Sequence, residues 1–308
     1  MKPSFLTWIL LLLIMLCFAA NSVITRYLVL LSQVSPFLVT VVRFISGLGT
    51  LLLLSAIRPA TFRYDRPDSS YLIGAIFLGV YAFSISYGYL FIPVAAGTFV
   101  FYTFVVVTMA AYSVFVDKEK FTVRLGIGQL LGLLGVLIIT FGGITSVTLL
   151  GVLLMAATGV SWGLYSAYGR RFSIAFSYTF NCFLIFGAIA ALLSLIAVGL
   201  YGGRIYAGLS PQNLELALYM GMVSTALSYV VWNATVKKIT ASLGGLTQLI
   251  VPILAPVMGL VFLREQLTSR LLFGGIFVLS GIYLIGSQTS RNAAIAKSKG
   301  VSTRSQGS

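Results

Sequence analysis

The sequence contains no histidine, two cysteines and six acidic residues among its 308 positions. With so few and such scattered ligand-type side chains, we expect no metal site, no catalytic residues and no cofactor. A Walker-type phosphate-binding loop is also missing, which argues against an ATP-driven pump. Cys17 and Cys182 both lie in apolar runs. They are therefore interpreted as small buried hydrophobic residues and not as a disulfide framework.

Charge is also scarce, at 8% of residues, whereas 59% are hydrophobic and the mean hydropathy is +1.03. The apolar runs are each roughly 20 residues long, the length that a helix needs to cross about 30 Å of hydrocarbon. The sequence therefore predicts an all-α integral membrane protein with ten transmembrane helices. The predicted spans are 5–31, 35–57, 69–91, 93–116, 122–142, 148–169, 172–201, 211–236, 239–262 and 269–288.

The basic residues are unevenly divided between the two sides of the predicted membrane. Of the 20 Lys and Arg residues, 15 fall in the termini and in alternate breaks, three fall in the opposite breaks, and Arg26 and Arg43 lie inside spans. This split predicts that both termini are cytoplasmic, as in a multi-pass protein of a bacterial-type inner membrane. The net charge of +14 then follows from topology. Anionic lipid headgroups are the expected partner, and no nucleic acid is needed.

The two halves of the chain repeat one another. Glu119, Thr122 and Gly128 match Glu265, Thr268 and Gly274 at an offset of 146 residues. Phe18, Asn21, Ser22 and Arg26 match Trp162, Tyr165, Ser166 and Arg170 at an offset of 144. Because each repeat has an odd number of spans, the second enters the membrane from the opposite side. We predict two inverted five-helix repeats, 1–146 and 147–290, followed by a basic, disordered cytoplasmic tail, 291–308.

Several segments resemble the EamA-type domain of the drug/metabolite transporter superfamily. They are Trp162-Gly163, Ala95-Ala96-Gly97, Leu243-Gly244-Gly245, Pro252 with Pro256, and Phe262-Leu263-Arg264-Glu265-Gln266-Leu267-Thr268. Within that superfamily the chain is similar to bacterial aromatic amino acid exporters. The resemblance implies a ten-helix inverted-repeat exporter of small metabolites. In the first half, Asp117-Lys118-Glu119-Lys120 departs from the pattern by an extra charge.

Polar and aromatic residues well inside the spans are the candidates for solute binding, because polar groups in a bilayer are retained mainly for function. Asn21 and the pair Trp162 and Tyr165 occupy repeat-related positions. The complete set of predicted binding residues is Asn21, Tyr81, Ser84, Thr98, Tyr102, Trp162, Tyr165, Ser228, Tyr229 and Gln248. The alternative is that Ser and Thr bond their own helices, and that tyrosines near span ends, such as Tyr27, Tyr71 and Tyr201, form interfacial belts.

Arg43 lies about eight residues into the second predicted span, with no carboxylate inside a span to pair with it. Two interpretations are open. The side chain extends toward the outer interface, as Arg26 can do near the end of its own span, or it attracts an anionic group such as the carboxylate of an amino acid.

The spans also lack histidine and deeply placed carboxylates, the usual parts of a proton relay. The sequence therefore favours a facilitative secondary transporter of small organic solutes, working by alternating access. A channel-like pore and a membrane-embedded enzyme are the alternatives. Glycines in the fifth and tenth spans, such as Gly135 and Gly281, favour close packing within a monomer over packing in a dimer.

Overall fold

The computed structural model describes residues 5–66, 68–118, 120–141, 147–237, 245, 248–281 and 283–284. The predicted tail 291–308, most of the start of the ninth predicted span and the end of the tenth lie outside these residues. Every regular element within them is helical. Strongly apolar side chains such as Leu195 and Phe273 are 72% and 62% exposed, as expected of surfaces that face lipid.

The first half supplies five helices separated by short connections. Proline or an N-cap side chain marks several starts: Pro36 opens the second helix, and the Asp68 carboxylate accepts the Ser70 amide at the third. The helices are α1 (Phe5–Arg26, continued by a π-helical turn, Tyr27–Leu31), α2 (Pro36–Ile57), α3 (Ser69–Gly88), α4 (Val94–Phe115) and α5 (Val123–Phe141).

The second half supplies five more. They are α6 (Leu149–Gly169), α7 (Ala175–Tyr201), α8 (Pro211–Val236, with a π-helical stretch at Met220–Leu227), α9 (Val251–Leu263, preceded by a 3-10 turn at Gln248–Ile250) and α10 (Ser269–Gly281). Over the residues that the structure describes, seven of the ten helices are long and apolar enough to cross a membrane. The described apolar parts of α5, α9 and α10 are shorter, Gly126–Ile139, Val251–Leu263 and Ser269–Gly281.

Helix packing follows the repeat. Helix α6 packs on α3 and α4, and its counterpart α1 packs on α8 and α9. The contact of α3 with α7 is matched by that of α8 with α2, while α2 with α7 and α4 with α9 pair counterparts directly. The contacts therefore stay the same when the halves are exchanged, which is the arrangement of two inverted five-helix repeats. The predicted all-α, ten-helix membrane fold is confirmed.

Glycines bring α5 and α10 into close contact within the chain. A Cβ atom at Gly135 would lie 2.5 Å from the carbonyl oxygen of Gly274, and one at Gly281 would clash with the backbone of Gly128 and Gly132. Side chains at these positions would push the helices apart. The glycine faces are thus used between the two halves of one chain.

Candidate solute-binding site

Four aromatic rings meet where the halves join. Phe18 comes from α1, Tyr81 from α3, Trp162 from α6 and Tyr229 from α8. The Trp162 ring centroid lies 5.5 Å from Phe18, 5.1 Å from Tyr81 and 4.6 Å from Tyr229. The rings meet edge to face or tilted, geometries that aromatic quadrupoles favour. We call these four residues the aromatic cluster.

The aromatic cluster surrounds a small void of about 10 Å³, the space that one water molecule occupies. The cavity is lined by Phe18, Asn21, Ser22, Tyr81, Ile85, Phe101, Tyr102, Trp162 and Tyr229. Among the described residues, the space that these side chains enclose has room for no more than about one water molecule. A solute larger than water can enter only if the rings move apart.

Residues that do not line the void hold the cavity wall in place by hydrogen bonds and ring contacts. The indole N–H of Trp162 donates to the Gln248 side-chain oxygen over 2.8 Å, and Gln248 lies in the 3-10 turn before α9. Tyr165 stacks on Trp162 at 5.5 Å and on Tyr178 at 4.9 Å, and its hydroxyl accepts from the Asn233 amide. Gln248 and Tyr165 therefore fix the orientation of Trp162 from behind, since neither lines the void.

Five of the ten predicted binding residues line the void itself, namely Asn21, Tyr81, Tyr102, Trp162 and Tyr229. Ser84, Thr98 and Ser228 lie elsewhere. Ser84 borders an apolar groove on the outside of α3 with Leu72 and Ile189. Thr98 and Ser228 donate to carbonyl groups of their own helices, as Ser and Thr commonly do in apolar surroundings. The structure does not bring these three to the cavity.

The three tyrosines predicted to form an interfacial belt differ in their exposure. Tyr27 and Tyr201 are 36% and 66% exposed, whereas Tyr71 is buried and its hydroxyl bonds the Ser177 hydroxyl over 3.1 Å. The interfacial assignment of Tyr71 is therefore wrong. The hydroxyl also donates to the Asp65 carboxylate over 3.4 Å, but the Ser177 contact spans more than a hundred residues, so no local pattern identifies it.

Both arginines inside spans are buried. Arg43 is fully buried, so the interpretation that it reaches the interface is wrong. Its Nε donates to Thr225 over 2.7 Å, and its Nη2 donates to the hydroxyls of Tyr81 and Tyr229 over 2.9 and 2.8 Å. Arg43 therefore lies directly behind two rings of the aromatic cluster.

Arg26 was expected to extend to the interface, and instead it forms an ion pair. Its Nε lies 3.3 Å from a carboxylate oxygen of Glu265, and its Nη1 donates to the Tyr89 carbonyl. The other carboxylate oxygen accepts the Val94 amide at the start of α4 over 2.8 Å. Beyond the other end of α4, Asp117 pairs with Arg170 over 2.6 Å. The two ion pairs thus lie at opposite ends of the bundle.

Sequence reasoning missed several residues of the site. Phe101 and Ile85 line the void but carry no signal, because apolar residues fill every span. Thr225 and Asn233 are polar and inside a span, a signal that could have identified them.

Comparison with known proteins agrees with the fold and the repeat. The profile of the EamA-like transporter family matches the chain twice, over residues 6–141 and 149–287. An uncharacterized protein of Pseudomonas aeruginosa is 33% identical over 92% of this chain and 95% of its own length. An uncharacterized transporter of Clostridium kluyveri is 27% identical over 89% of this chain and 91% of its own.

A solved crystal structure supports the fold alone. It aligns with a TM-score of 0.68 at 20% identity, over 92% of this chain and 97% of that one. The matching family and the Clostridium relative are both described as transporters. The two profile matches, the apolar helices and the Pseudomonas relative lead to one conclusion: this multi-pass membrane protein belongs to the EamA-like transporter family.

Proposed function

We propose that the protein is a facilitative secondary transporter that exports small organic metabolites, amino acids including aromatic ones, by alternating access. The aromatic cluster carries this proposal. Its rings come from both halves and enclose a cavity whose wall includes the buried amide of Asn21. Aromatic walls favour a flat apolar side chain, because ring contacts add to the free energy of burial.

The size of the void supports a carrier over a channel. A conducting pore needs a continuous path, whereas the void beside Asn21 holds about one water molecule. Inverted halves can pack in two equivalent ways that expose a central site to one side at a time. Separation of the aromatic cluster is then the step that admits the solute.

An exporter must also have a defined orientation in the membrane. The charge split between alternate connections supports cytoplasmic termini and a bacterial-type inner membrane. Single cysteines introduced at Gly202 and Arg66, in a background without Cys17 and Cys182, test this in intact cells. A membrane-impermeant maleimide should label position 202 and not position 66. Labelling at 66 alone would reverse the orientation.

The central experiment is solute flux in proteoliposomes against a panel of amino acids and related metabolites. Flux should saturate, and aromatic amino acids should compete well. The Trp162→Ala variant should lose about 0.5–1.5 kcal/mol of ring contact and additional buried area, a several-fold or larger rise in half-saturation for aromatic solutes. Trp162→Phe keeps a ring but loses the N–H bond to Gln248, and so separates packing from hydrogen bonding.

Two further variants complete the set. Asn21→Ala should weaken aromatic and aliphatic amino acids alike, because it removes a hydrogen bond to the polar part that they share. Tyr27→Phe, at a partly exposed position, is the control. If the Trp162 and Asn21 variants are expressed normally and transport with unaltered kinetics, the cavity is not the solute-binding site.

Energy coupling is tested in the same vesicles. The sequence has no histidine, and its six acidic residues lie in or beside the connections. We expect flux to follow the solute gradient and to persist when the proton gradient is collapsed. Stoichiometric proton movement with the solute would contradict the facilitative mechanism.

We propose that the protein acts as a monomer in contact with anionic lipid headgroups. The support is that the glycine faces of α5 and α10 are used within the chain, and that basic residues concentrate on one side. Crosslinking in vesicles should give a single-chain product, and a specific dimer band would contradict this.

A further inference from the structure

Arg43 is a buried cation that has no carboxylate partner among the described residues. The ion pairs among the described residues are Arg26 with Glu265 and Arg170 with Asp117, and neither includes Arg43. Its other neighbours are neutral: three hydroxyl oxygens and the rings of Phe44 and Tyr81, at 5.2 and 5.3 Å from the guanidinium carbon. Such contacts stabilise a cation only partly, and placing an unpaired charge in hydrocarbon costs free energy.

One nitrogen of this guanidinium is unsatisfied. Nε and Nη2 have hydroxyl partners, whereas the buried Nη1 atom has no hydrogen-bond partner within the described structure. The Asn21 side-chain oxygen is also buried without one. Buried polar atoms normally find partners. These are two of the eight unpartnered side-chain atoms in the described residues; Asn21 lines the cavity, and Arg43 is hydrogen-bonded to two tyrosines that line it.

Two tyrosines connect Arg43 to the cavity wall to which Asn21 belongs. Tyr81 and Tyr229, the phenols that hold Nη2, line the cavity together with Asn21. The approach of α8 to α2 depends on Gly221, where a Cβ would collide with the Arg43 carbonyl group and the Ser46 hydroxyl. This close approach lets Thr225 and Tyr229 reach the guanidinium. Arg43 on α2 is thus held by side chains of α3 and α8, with the two N–H donors of Nη1 left over.

We propose that Arg43 binds the carboxylate of the transported solute, and that the Asn21 side-chain oxygen accepts a hydrogen bond from its ammonium group. This assignment rests on the proposed transport function and narrows its substrate class to solutes that bear a carboxylate. An ammonium or neutral group in place of the carboxylate leaves the guanidinium unpaired, so the corresponding amine binds more weakly. Trp162 and Phe18 then contact the side chain.

The first test uses the unmodified protein in proteoliposomes and needs no variant to fold. Labelled phenylalanine is the tracer, and its competitors are phenylalanine, 3-phenylpropanoate, which lacks the ammonium group, and 2-phenylethylamine, which lacks the carboxylate. Because charge-assisted hydrogen bonds are stronger than neutral ones, 2-phenylethylamine should compete roughly 10- to 100-fold more weakly than phenylalanine. 3-Phenylpropanoate should fall between them. Equal competition by the amine would overturn the proposal.

The second test uses variants. Arg43→Gln should abolish the preference for phenylalanine over 2-phenylethylamine, and Arg43→Lys should retain the preference with weaker binding, because a point charge replaces a planar fork. Arg66→Gln, at an exposed position, is the matched control. If Arg43→Gln lowers only the melting temperature and leaves this preference intact, the side chain is a structural contact and the proposal is wrong.

The outcomes separate the two proposals. Absence of amino acid flux in the unmodified protein contradicts the proposed function itself. Saturable phenylalanine flux that the amine inhibits as well as phenylalanine does leaves that function standing and removes the role of Arg43. If Arg43→Gln does not fold, the competition series in the unmodified protein decides.

Discussion

The Arg26–Glu265 pair and the Arg170–Asp117 pair occupy related places at opposite ends of the bundle, and they differ in depth. Arg26 matches Arg170 at the repeat offset of 144, whereas Glu265 matches Glu119, two residues after Asp117. The side chains of the first pair are 10% and 14% exposed, and those of the second are 20% and 30% exposed. Both ends of the bundle therefore carry an ion pair between an arginine and a carboxylate, but the two pairs differ in burial.

The deeper pair is also tied to the backbone. Glu265 accepts the Val94 amide, and Arg26 donates to the Tyr89 carbonyl, so the ends of α1, α3, α4 and α9 are joined in one network. Buried pairs are strongly destabilising to break, whereas exposed pairs contribute little. The difference indicates that the Arg26–Glu265 pair costs more free energy to break than the Arg170–Asp117 pair.

The largest expected effect comes from removing the buried carboxylate. Glu265→Ala leaves the Arg26 charge and the Val94 amide without their partner and should destabilise the protein by about 3–5 kcal/mol. Thermal unfolding of the purified protein in detergent measures this. Glu215→Ala, at an exposed position, is the control and should change stability by at most about 0.5 kcal/mol. Similar losses in both variants would remove the distinction between the ends.

A second experiment compares access to the cavity from each end. Ser22 lines the void and is buried, so a cysteine there, in the background without Cys17 and Cys182, reports opening. Adding Glu265→Gln should raise its rate of maleimide labelling from the Glu265 side about tenfold, the effect of about 1.4 kcal/mol on a two-state equilibrium. Adding Asp117→Asn should raise labelling from the other side by less. The reverse order would contradict the comparison.

A smaller effect is expected within the exposed pair itself. A double-mutant cycle of Arg170→Met with Asp117→Asn should give a coupling of about 0.2–1 kcal/mol, since solvent screens the charges. The matched cycle of Arg26→Met with Glu265→Gln should give a larger value. Both cycles are measured by unfolding in detergent, and equal couplings would show that the difference in burial has no energetic consequence.

The smallest effect is a dependence on pH. Burial raises the pKa of the Glu265 carboxyl above its ordinary range, although Arg26 and the amides of Val94 and Ala95 oppose the shift. A pKa that is higher in the folded, closed state favours that state at low pH. This contribution is complete below the ordinary pKa of a glutamate and is lost as pH rises through the raised value. Melting temperature against pH measures it.

Glu265→Gln is the control for that measurement, because glutamine cannot ionise. The difference in stability between the unmodified protein and Glu265→Gln should shift in favour of the unmodified protein as pH falls. Asp68 provides a comparison of opposite sign, since bonds from the Ser70 hydroxyl and amide lower its pKa. A pH-independent difference between the unmodified protein and Glu265→Gln would show that burial of the carboxyl does not control its protonation.

Much of the fold could be predicted from the sequence, because a bilayer imposes a length and a composition on every span. The predicted span 93–116 contains the helix Val94–Phe115, and 35–57 contains Pro36–Ile57. The site was predicted less well. Trp162 and Asn21 line the void, as their repeat-related positions suggested, but Ser84 borders a separate groove and Thr98 bonds its own helix. A polar residue inside a span does not reveal which side of its helix faces the centre.

The sequence by itself determined the number of spans, their repeat and the uneven placement of charge, since these follow from hydropathy and local composition. Only the tertiary structure decided the surroundings of the two arginines inside spans. Arg43 meets Thr225 and Tyr229 from a helix about 180 residues away, and Arg26 meets Glu265 across 239 residues. Hydropathy predicts that a charged side chain must avoid lipid. The packing of distant helices determines whether it reaches the interface, an ion pair or a closed cavity.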